Sequence, residues 1–267
     1  MNETKRGTQI RPLIKVTGTD FCETEDLIIE EAPLTVYLNG KELVTMLHTP
    51  GEERFLVQGF LALEGMISGV KDITKLTFDA KQGLIWVDTV QGDTPSEKLF
   101  LKRYLTACCG KGSTAFYFAN DTWTAKKVTG EIKLTPQEVY NYSQALDEAS
   151  EVFRKTGGVH NGAIAADGCF IYCTHDIGRH NVFDKLYGHC IADNLTLEDK
   201  VMVFSGRVSG EIVLKVSKMN MPVIISRAAP TSLALDLAEE LGVTVIGFSR
   251  ESRLNVYTHA HRLQIDE

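Results

Sequence analysis

Short apolar runs bounded by turn signals fill the first third of the chain, and helically spaced runs alternating with apolar strands fill the last. Leu34 to Leu38, the Asn39-Gly40 pair and Leu43 to Leu47 predict a β-hairpin with a tight turn, and Leu76 to Phe78 with Leu84 to Val87 predict two further strands. Between them, Glu52 to Glu64 spaces Phe55, Leu56, Phe60, Leu61 and Leu63 for one helical face, the pattern of a packing helix. The pattern loosens from Thr94 to Thr114, where Arg103 to Thr114 reads as an irregular, glycine-containing loop. Thr135-Pro136-Gln137-Glu138 then opens a helix, with Thr135 as N-cap, Pro136 at the first helical position and Glu138 completing a capping box. That helix is expected to run to about Thr156, exit into Gly157-Gly158 and bridge the two halves.

The C-terminal half predicts a hairpin, Ala163 to Ala166 and Cys169 to Cys173 about Asp167-Gly168, and a helix near Asn181 to Ala192. Three apolar strands follow, Val201 to Phe204, Val223 to Ile225 and Val243 to Gly247, alternating with helices from Ser209 and Thr231. Short βα units of this kind place parallel strands side by side with their C-terminal ends on one edge. The expected fold is therefore α/β, with a β-rich N-terminal region at 1–134 that includes the loop and an α/β ligand-binding domain at 135–267.

Immediately past each of the three strands come a serine and an arginine: Ser205-Gly206-Arg207, Ser226-Arg227 and Ser249-Arg250. Ligands of open α/β sheets bind outside the carboxyl ends of the strands, and the planar arginine fork suits phosphate. Taken singly, each arginine is as readily a solvated loop residue or an ion-pair partner of Asp236, Glu239 or Glu240; recurrence at equivalent positions favours a shared anion site. A second polar run, His175 to Lys185, packs Asp176, Arg179, His180, Asn181, Asp184 and Lys185 into a turn and a helix start. With Gly157 to His160 it forms either another wall of that pocket or a satisfied structural network at the helix N-terminus.

Net charge narrows the ligand. At −7 the chain is unsuited to bulk nucleic-acid or anionic-membrane binding, so an anionic ligand needs a local basic cluster. Met1 to Lys15 is polar and no long apolar stretch occurs, which predicts a cytoplasmic protein. The six cysteines are not spaced as a disulfide framework, so free thiols are expected. Cys169 and Cys173, four apart on a strand, are expected on one face as packed core thiols. Cys108 and Cys109 differ, because glycine, lysine and small polar residues surround them, and Lys111 or Arg103 would favour the thiolate. No C-x-x-C pair and no H-x-E motif accompanies His160, His175 and His180, so no metal site is expected.

The chain resembles the FdhD proteins, the formate dehydrogenase accessory sulfurtransferases, a family that includes homologues associated with nitrate assimilation. The segments carrying the resemblance are 30–34, the cysteine loop, 156–160, 176–185, 205–209, 229–232, 247–250 and 255–258. It implies a C-terminal domain of cytidine-deaminase-like fold, parallel strands with flanking helices, lacking that fold's zinc. It also implies a sulfur relay in which a cysteine desulfurase passes sulfur to a loop cysteine. The recipient is a bis(molybdopterin guanine dinucleotide) cofactor with molybdenum or tungsten, destined for formate dehydrogenase. A homodimer is a further implication.

Many members carry a C-G-x-C loop; here the window reads Cys109-Gly110-Lys111-Gly112, with Gly112 in place of the second cysteine, whereas aligning on the trailing Cys-Gly pair matches Cys109 to the second cysteine and leaves Cys108 a displaced neighbour; in both alignments Cys109 is retained and is the persulfide candidate. The family's cofactor-binding segment falls on Phe248, Ser249, Arg250, Glu251, Ser252 and Arg253, to which Arg207, Arg227, Arg179 and His180 are added from the reading of the sheet edge. Two other readings compete: a chaperone that carries the cofactor without sulfur chemistry, and a nucleotide-modifying enzyme on the same scaffold.

Overall fold

The computed structural model describes residues 7–90, 125–250 and 252–265; Cys108, Cys109 and Glu251 lie outside them. The chain opens with a hairpin that the sequence reading did not anticipate, β1 (Thr8–Thr17) and β2 (Asp20–Ile29). Next come β3 (Ala32–Leu38) and β4 (Lys41–His48), joined at Asn39 (φ 50°) and Gly40 (φ 79°). Two successive positive φ values are what a two-residue hairpin loop needs to match the twist of its strands. Helix α1 (Glu53–Leu63) follows, then β5 (Ile73–Asp79) and β6 (Leu84–Thr89), which complete a four-stranded sheet in the order β4-β3-β6-β5. Its inward residues Leu34, Val36, Ile85 and Val87 form one core with Leu56, Val57, Phe60 and Leu61 of α1.

The second unit is the expected α/β layer structure. Helix α2 (Pro136–Ala149) starts on the predicted capping box: Thr135 Oγ1 accepts from the Glu138 amide and the Glu138 carboxylate accepts from the Thr135 amide. It ends before Thr156. Ser150 leaves helical geometry (φ −84°, ψ 52°) as its hydroxyl donates to the Leu146 carbonyl, and a separate short helix, α3 (Glu151–Thr156), follows. Beyond it lie β7 (His160–Ala166), β8 (Cys169–Asp176), α4 (Arg179–Ala192), β9 (Val201–Phe204), α5 (Gly210–Lys218), β10 (Val223–Ser226), α6 (Ser232–Leu241), β11 (Thr244–Arg250) and β12 (Arg253–Val256). The six strands pair in the order β12-β11-β10-β9-β7-β8, with β9, β10 and β11 parallel and adjacent as expected.

Strand alternation splits the sheet into two cores. Ile164, Met202, Phe204, Ile224 and Val245 face α4, α5 and α6, whereas Ala163, Val203, Ile225 and Ile246 face α2. Residues 125–134, expected in the first region, join this unit: Val128 enters the first of these cores, and Leu134 enters the second and pairs with Leu263. The expectation for Cys169 and Cys173 fails. Both are exposed on the outermost strand, and the bulge at Ile171, which leaves Tyr172 opposite Ile164 and Phe170 opposite Ala165, breaks the alternation that would have aligned them.

Two devices lock the units together. Helices α1 and α4 cross where Gly59 meets Gly188: a Cβ on Gly59 would come within 2.7 Å of the Gly188 nitrogen, and one on Gly188 would fall on the Phe55 carbonyl. Beside the crossing, the fully buried Asp176 accepts from Lys185 Nζ (2.8 Å) and from the amides of Thr49 (3.2 Å) and Gly178 (2.8 Å). Lys185 Nζ also donates to the carbonyls of Thr49 and His175, each at 3.1 Å, and Asn181 donates to Leu47. The structural-network reading of Asp176, Asn181 and Lys185 is thus the one observed.

Helix propensity alone favours alanine over glycine by about 1 kcal/mol. At Gly188 the sign should reverse: Gly188→Ala is expected to destabilise the protein by about 3 kcal/mol, an overpacking cost, read as a lower urea midpoint. An unchanged or raised midpoint would mean that the crossing is looser than described.

Candidate functional site

The carboxyl ends of β9, β10 and β11 form one edge, and β7, antiparallel to β9, brings His160 to it. The three serines point inward. Ser205 Oγ accepts from the Asn161 amide (2.9 Å), Ser226 Oγ donates to the Gly206 carbonyl (2.7 Å), and Ser249 Oγ meets Ser143 Oγ of α2 at 2.6 Å. They position the loops. Of the arginines they precede, Arg207 and Arg250 are exposed and Arg227 is half-buried.

On the α2 side, Arg250 Nε donates to the Arg227 carbonyl (3.2 Å), and Arg253 sits across the strand pair from Arg250. Burial and the neighbouring Arg250 pull the Arg227 guanidinium below its usual pKa. Its partner is Asp147 of α2, not the acids of α6 that the sequence offered. Tyr140 Oη donates to the Ser252 carbonyl (3.0 Å), tying the β11–β12 turn to the same helix. Between Gly247 and Arg250 the register of β11 against β12 shifts, and there Phe248 adopts a left-handed backbone (φ 52°) with an exposed ring. A bulky side chain at positive φ is an uncommon, costly arrangement. Its effect is to expose an aromatic ring two residues before Arg250.

On the opposite side, the first turns of α4 and α5 meet. His180 Nε2 lies 2.7 Å from a Glu211 carboxylate oxygen. Burial, with Lys215, Arg179 and His160 around it, pulls His180 down to about 3, so at neutral pH the imidazole is neutral and donates Nε2–H to Glu211. His160 is likewise lowered, by burial and then by Arg179. Asp184, one turn on, is fully buried and pushed up to about 6 by that burial although Lys215 pairs with it. Arg179 Nε and the N-cap hydroxyl of Ser209 are buried with no hydrogen-bond partner among the described residues. Arg207 is exposed on the loop joining the two sides, just past Gly206, whose missing Cβ leaves room for the His160 ring.

The structure therefore gathers Arg227, Phe248, Ser249, Arg250, Ser252 and Arg253 on one side and Arg179 and His180 on the other, with Arg207 between. Sequence reasoning missed Asp147, Tyr140 and Glu211, which meet their partners only through the fold and carried no local signal. Among the described residues no cluster of three or more His, Cys, Asp or Glu could hold a metal, and no helix is long and apolar enough to cross a membrane.

An α/β protein with a basic edge over parallel strands matches a crystal structure described as that of a formate dehydrogenase accessory protein from Desulfotalea psychrophila. The TM-score is 0.78 at 21% identity, covering 96% of this chain and 99% of that one, a likeness of fold. The chain belongs to the FdhD/NarQ family, whose model matches residues 29–264. It is 46% identical over 255 residues to a protein named sulfur carrier protein FdhD from Geobacillus kaustophilus, covering 96% of this chain and 97% of that one. A relative of the same name from Bacillus subtilis is 42% identical over 257 residues, covering 96% and 98%.

The state of His180 is measurable. Nitrogen-15 NMR should show a neutral Nε2–H tautomer down to pH 5; an imidazolium signal at pH 6 would contradict the assignment. An unfolded histidine takes its proton near 6.5 and the folded one near 3. The folded state therefore loses stability as pH falls from 6.5 towards 3, and His180→Gln should flatten that part of the profile.

Proposed function

We propose that this protein is a sulfur carrier serving formate dehydrogenase, that Cys109 carries the sulfur as a persulfide, and that the sheet edge holds the recipient. Attack of the Cys109 thiolate on the outer sulfur of a cysteine desulfurase persulfide forms the new S–S bond and releases the desulfurase thiolate. The recipient is the bis(molybdopterin guanine dinucleotide) cofactor with molybdenum or tungsten, bound as substrate. Its pyrophosphates suit Arg207, Arg250 and Arg253, with Arg227 and Arg179 as further cations, and the Nδ1 of neutral His180 is left as an acceptor. Its guanine suits the exposed ring of Phe248.

The observation that supports this reading most is the Phe248 to Arg253 turn: in a chain of net charge −7, an aromatic held outward at positive φ stands beside a cluster of arginines. Flat π-faces and forked cations are the groups that recognise a purine nucleotide. Family membership and the names of the relatives support the sulfur-carrying half.

Two measurements test the two halves separately. After incubation with a cysteine desulfurase and cysteine, intact mass spectrometry should show a gain of one sulfur atom that Cys109→Ala abolishes and Cys108→Ala retains. A Cys109→Ala protein that still supports active formate dehydrogenase would leave the chaperone reading in its place. Guanosine diphosphate, as a probe of the edge, should bind at least tenfold more weakly to Arg250→Ala and to Phe248→Ala, a loss of about 1.4 kcal/mol or more. Unchanged affinity would remove the cofactor from this edge.

A further inference from the structure

Helix α2 lays one stripe of side chains along the sheet edge. Tyr140, Ser143 and Asp147 follow the i, i+3, i+7 spacing of a single helical face. The first two hold the β11–β12 segment: Tyr140 Oη donates to the Ser252 carbonyl (3.0 Å), and Ser143 Oγ meets Ser249 Oγ (2.6 Å). The third brings a carboxylate to the Arg227 guanidinium. Of Arg207, Arg227, Arg250 and Arg253, only Arg227 forms an ion pair among the described residues.

The helix itself does not favour an acid at this position. Asp147 and Glu148 lie in the last turn of α2, which carries no basic residue, and the negative end of the helix dipole disfavours carboxylates. Positive charge comes instead from the next helix, where Arg154 Nη1 donates to the carbonyls of both Asp147 and Glu148. Helix stability therefore does not account for Asp147, and its pairing with Arg227 does.

This pair is placed to open. The Asp147 side chain is 51% and the Arg227 side chain 25% exposed, and ion pairs so open to water contribute little to stability. Opening it disturbs no backbone. The Arg227 amide donates to the Phe204 carbonyl (3.2 Å), the Arg227 carbonyl accepts from Arg250 Nε (3.2 Å), and the Ala228 amide donates to Ser226 Oγ (3.0 Å), so the guanidinium swings on a fixed stem. A carboxylate and a phosphate both offer paired oxygens to that guanidinium, so a phosphate arriving at Arg227 competes with Asp147. A pair closed about four-fifths of the time lowers apparent affinity about fivefold.

We propose that Asp147 is a resident anion of the sheet edge: it occupies Arg227 in the free protein, yields it to a ligand phosphate, and by competing keeps affinity low enough for a carrier to release what it binds. This rests on the phosphate-binding reading of the edge. Asp147 acts through Arg227 and is a positioning residue. The test is titration calorimetry of the full-length protein with guanosine diphosphate at several salt concentrations. Asp147→Asn, which keeps the shape and removes the charge, should bind about fivefold more tightly than the wild type or better. Asp147→Glu, which restores the charge, should return to within about twofold of the wild type. A merely structural ion pair predicts equal or weaker binding once it is neutralised. Salt gives the second readout. On Asp147→Asn the ligand displaces a salt anion from Arg227 in place of the protein's own carboxylate, so log affinity should fall more steeply with log salt than in the wild type. Unchanged or weaker binding by Asp147→Asn overturns the inference, as does an unchanged salt slope or an Asp147→Glu protein that binds as tightly as Asp147→Asn. In each of those cases, wild-type binding that Arg250→Ala weakens leaves the phosphate-binding reading standing. Absence of binding to both the wild type and Asp147→Asn overturns the two together.

Discussion

The backbone contact of α1 with α4 is the constraint on which the rest depends. Each helix packs apolar residues on its own sheet, and on that account alone they would form two independent bodies. Gly59 and Gly188 let them approach until backbone touches backbone, a separation that no pair of side chains permits. At that distance the Asp176–Lys185 pair can close over the Thr49 loop. A buried ion pair rarely adds net stability over an apolar substitute, but it tolerates only one geometry. The crossing supplies proximity and the ion pair supplies register. Because Asp176 also anchors the Gly178 amide, the same clamp aims the first turn of α4, and with it Arg179 and His180, at the sheet edge.

The edge shows how hydrogen-bonded serines and the arginines that follow them divide one task. Ser205, Ser226 and Ser249 each satisfy groups of a neighbouring segment, so the loops that carry the arginines start from fixed points. Loops that follow sheet strands are otherwise the mobile part of an α/β protein. Here the second strand-to-helix loop is also zipped to the first, through the Val208 amide to Ala229 and the Thr231 amide to Val208. The cations are thereby carried on a scaffold that does not have to be ordered when a ligand arrives, which lowers the entropic cost of binding.

What could be read from the sequence was what is local. The Thr135–Glu138 capping box, the Asn39-Gly40 turn and the three βα units all depend on residues a few positions apart, and all are observed. The break at Ser150 is hidden inside a helical pattern, because a single hydroxyl bonding back to Leu146 decides it. The β1–β2 ribbon carries a period of two at Ile10, Pro12, Ile14 and Val16, but the interleaved charges of Arg11 and Lys15 give the segment a polar character that masks it. The pairing of Arg227 with Asp147 and of His180 with Glu211 joins segments distant in sequence, and no periodicity encodes it. Gly59 and Gly188 were the least legible: within a helix, glycine reads as a weakness, and only the crossing turns it into a requirement.

Phe248 sits in a conformation that glycine would adopt without cost and that asparagine would tolerate. Local frustration of this sort means that stability and the display of an aromatic ring rank the residues at this position in opposite orders. Selection for heat resistance alone would drift towards a small residue and erase the ring, whereas selection for an exposed aromatic at the sheet edge would keep the ring and bear the strain. The two pressures can be satisfied together only if stability is recovered at distant positions, so residue 248 ties the thermal tolerance of the whole fold to the chemistry of one turn.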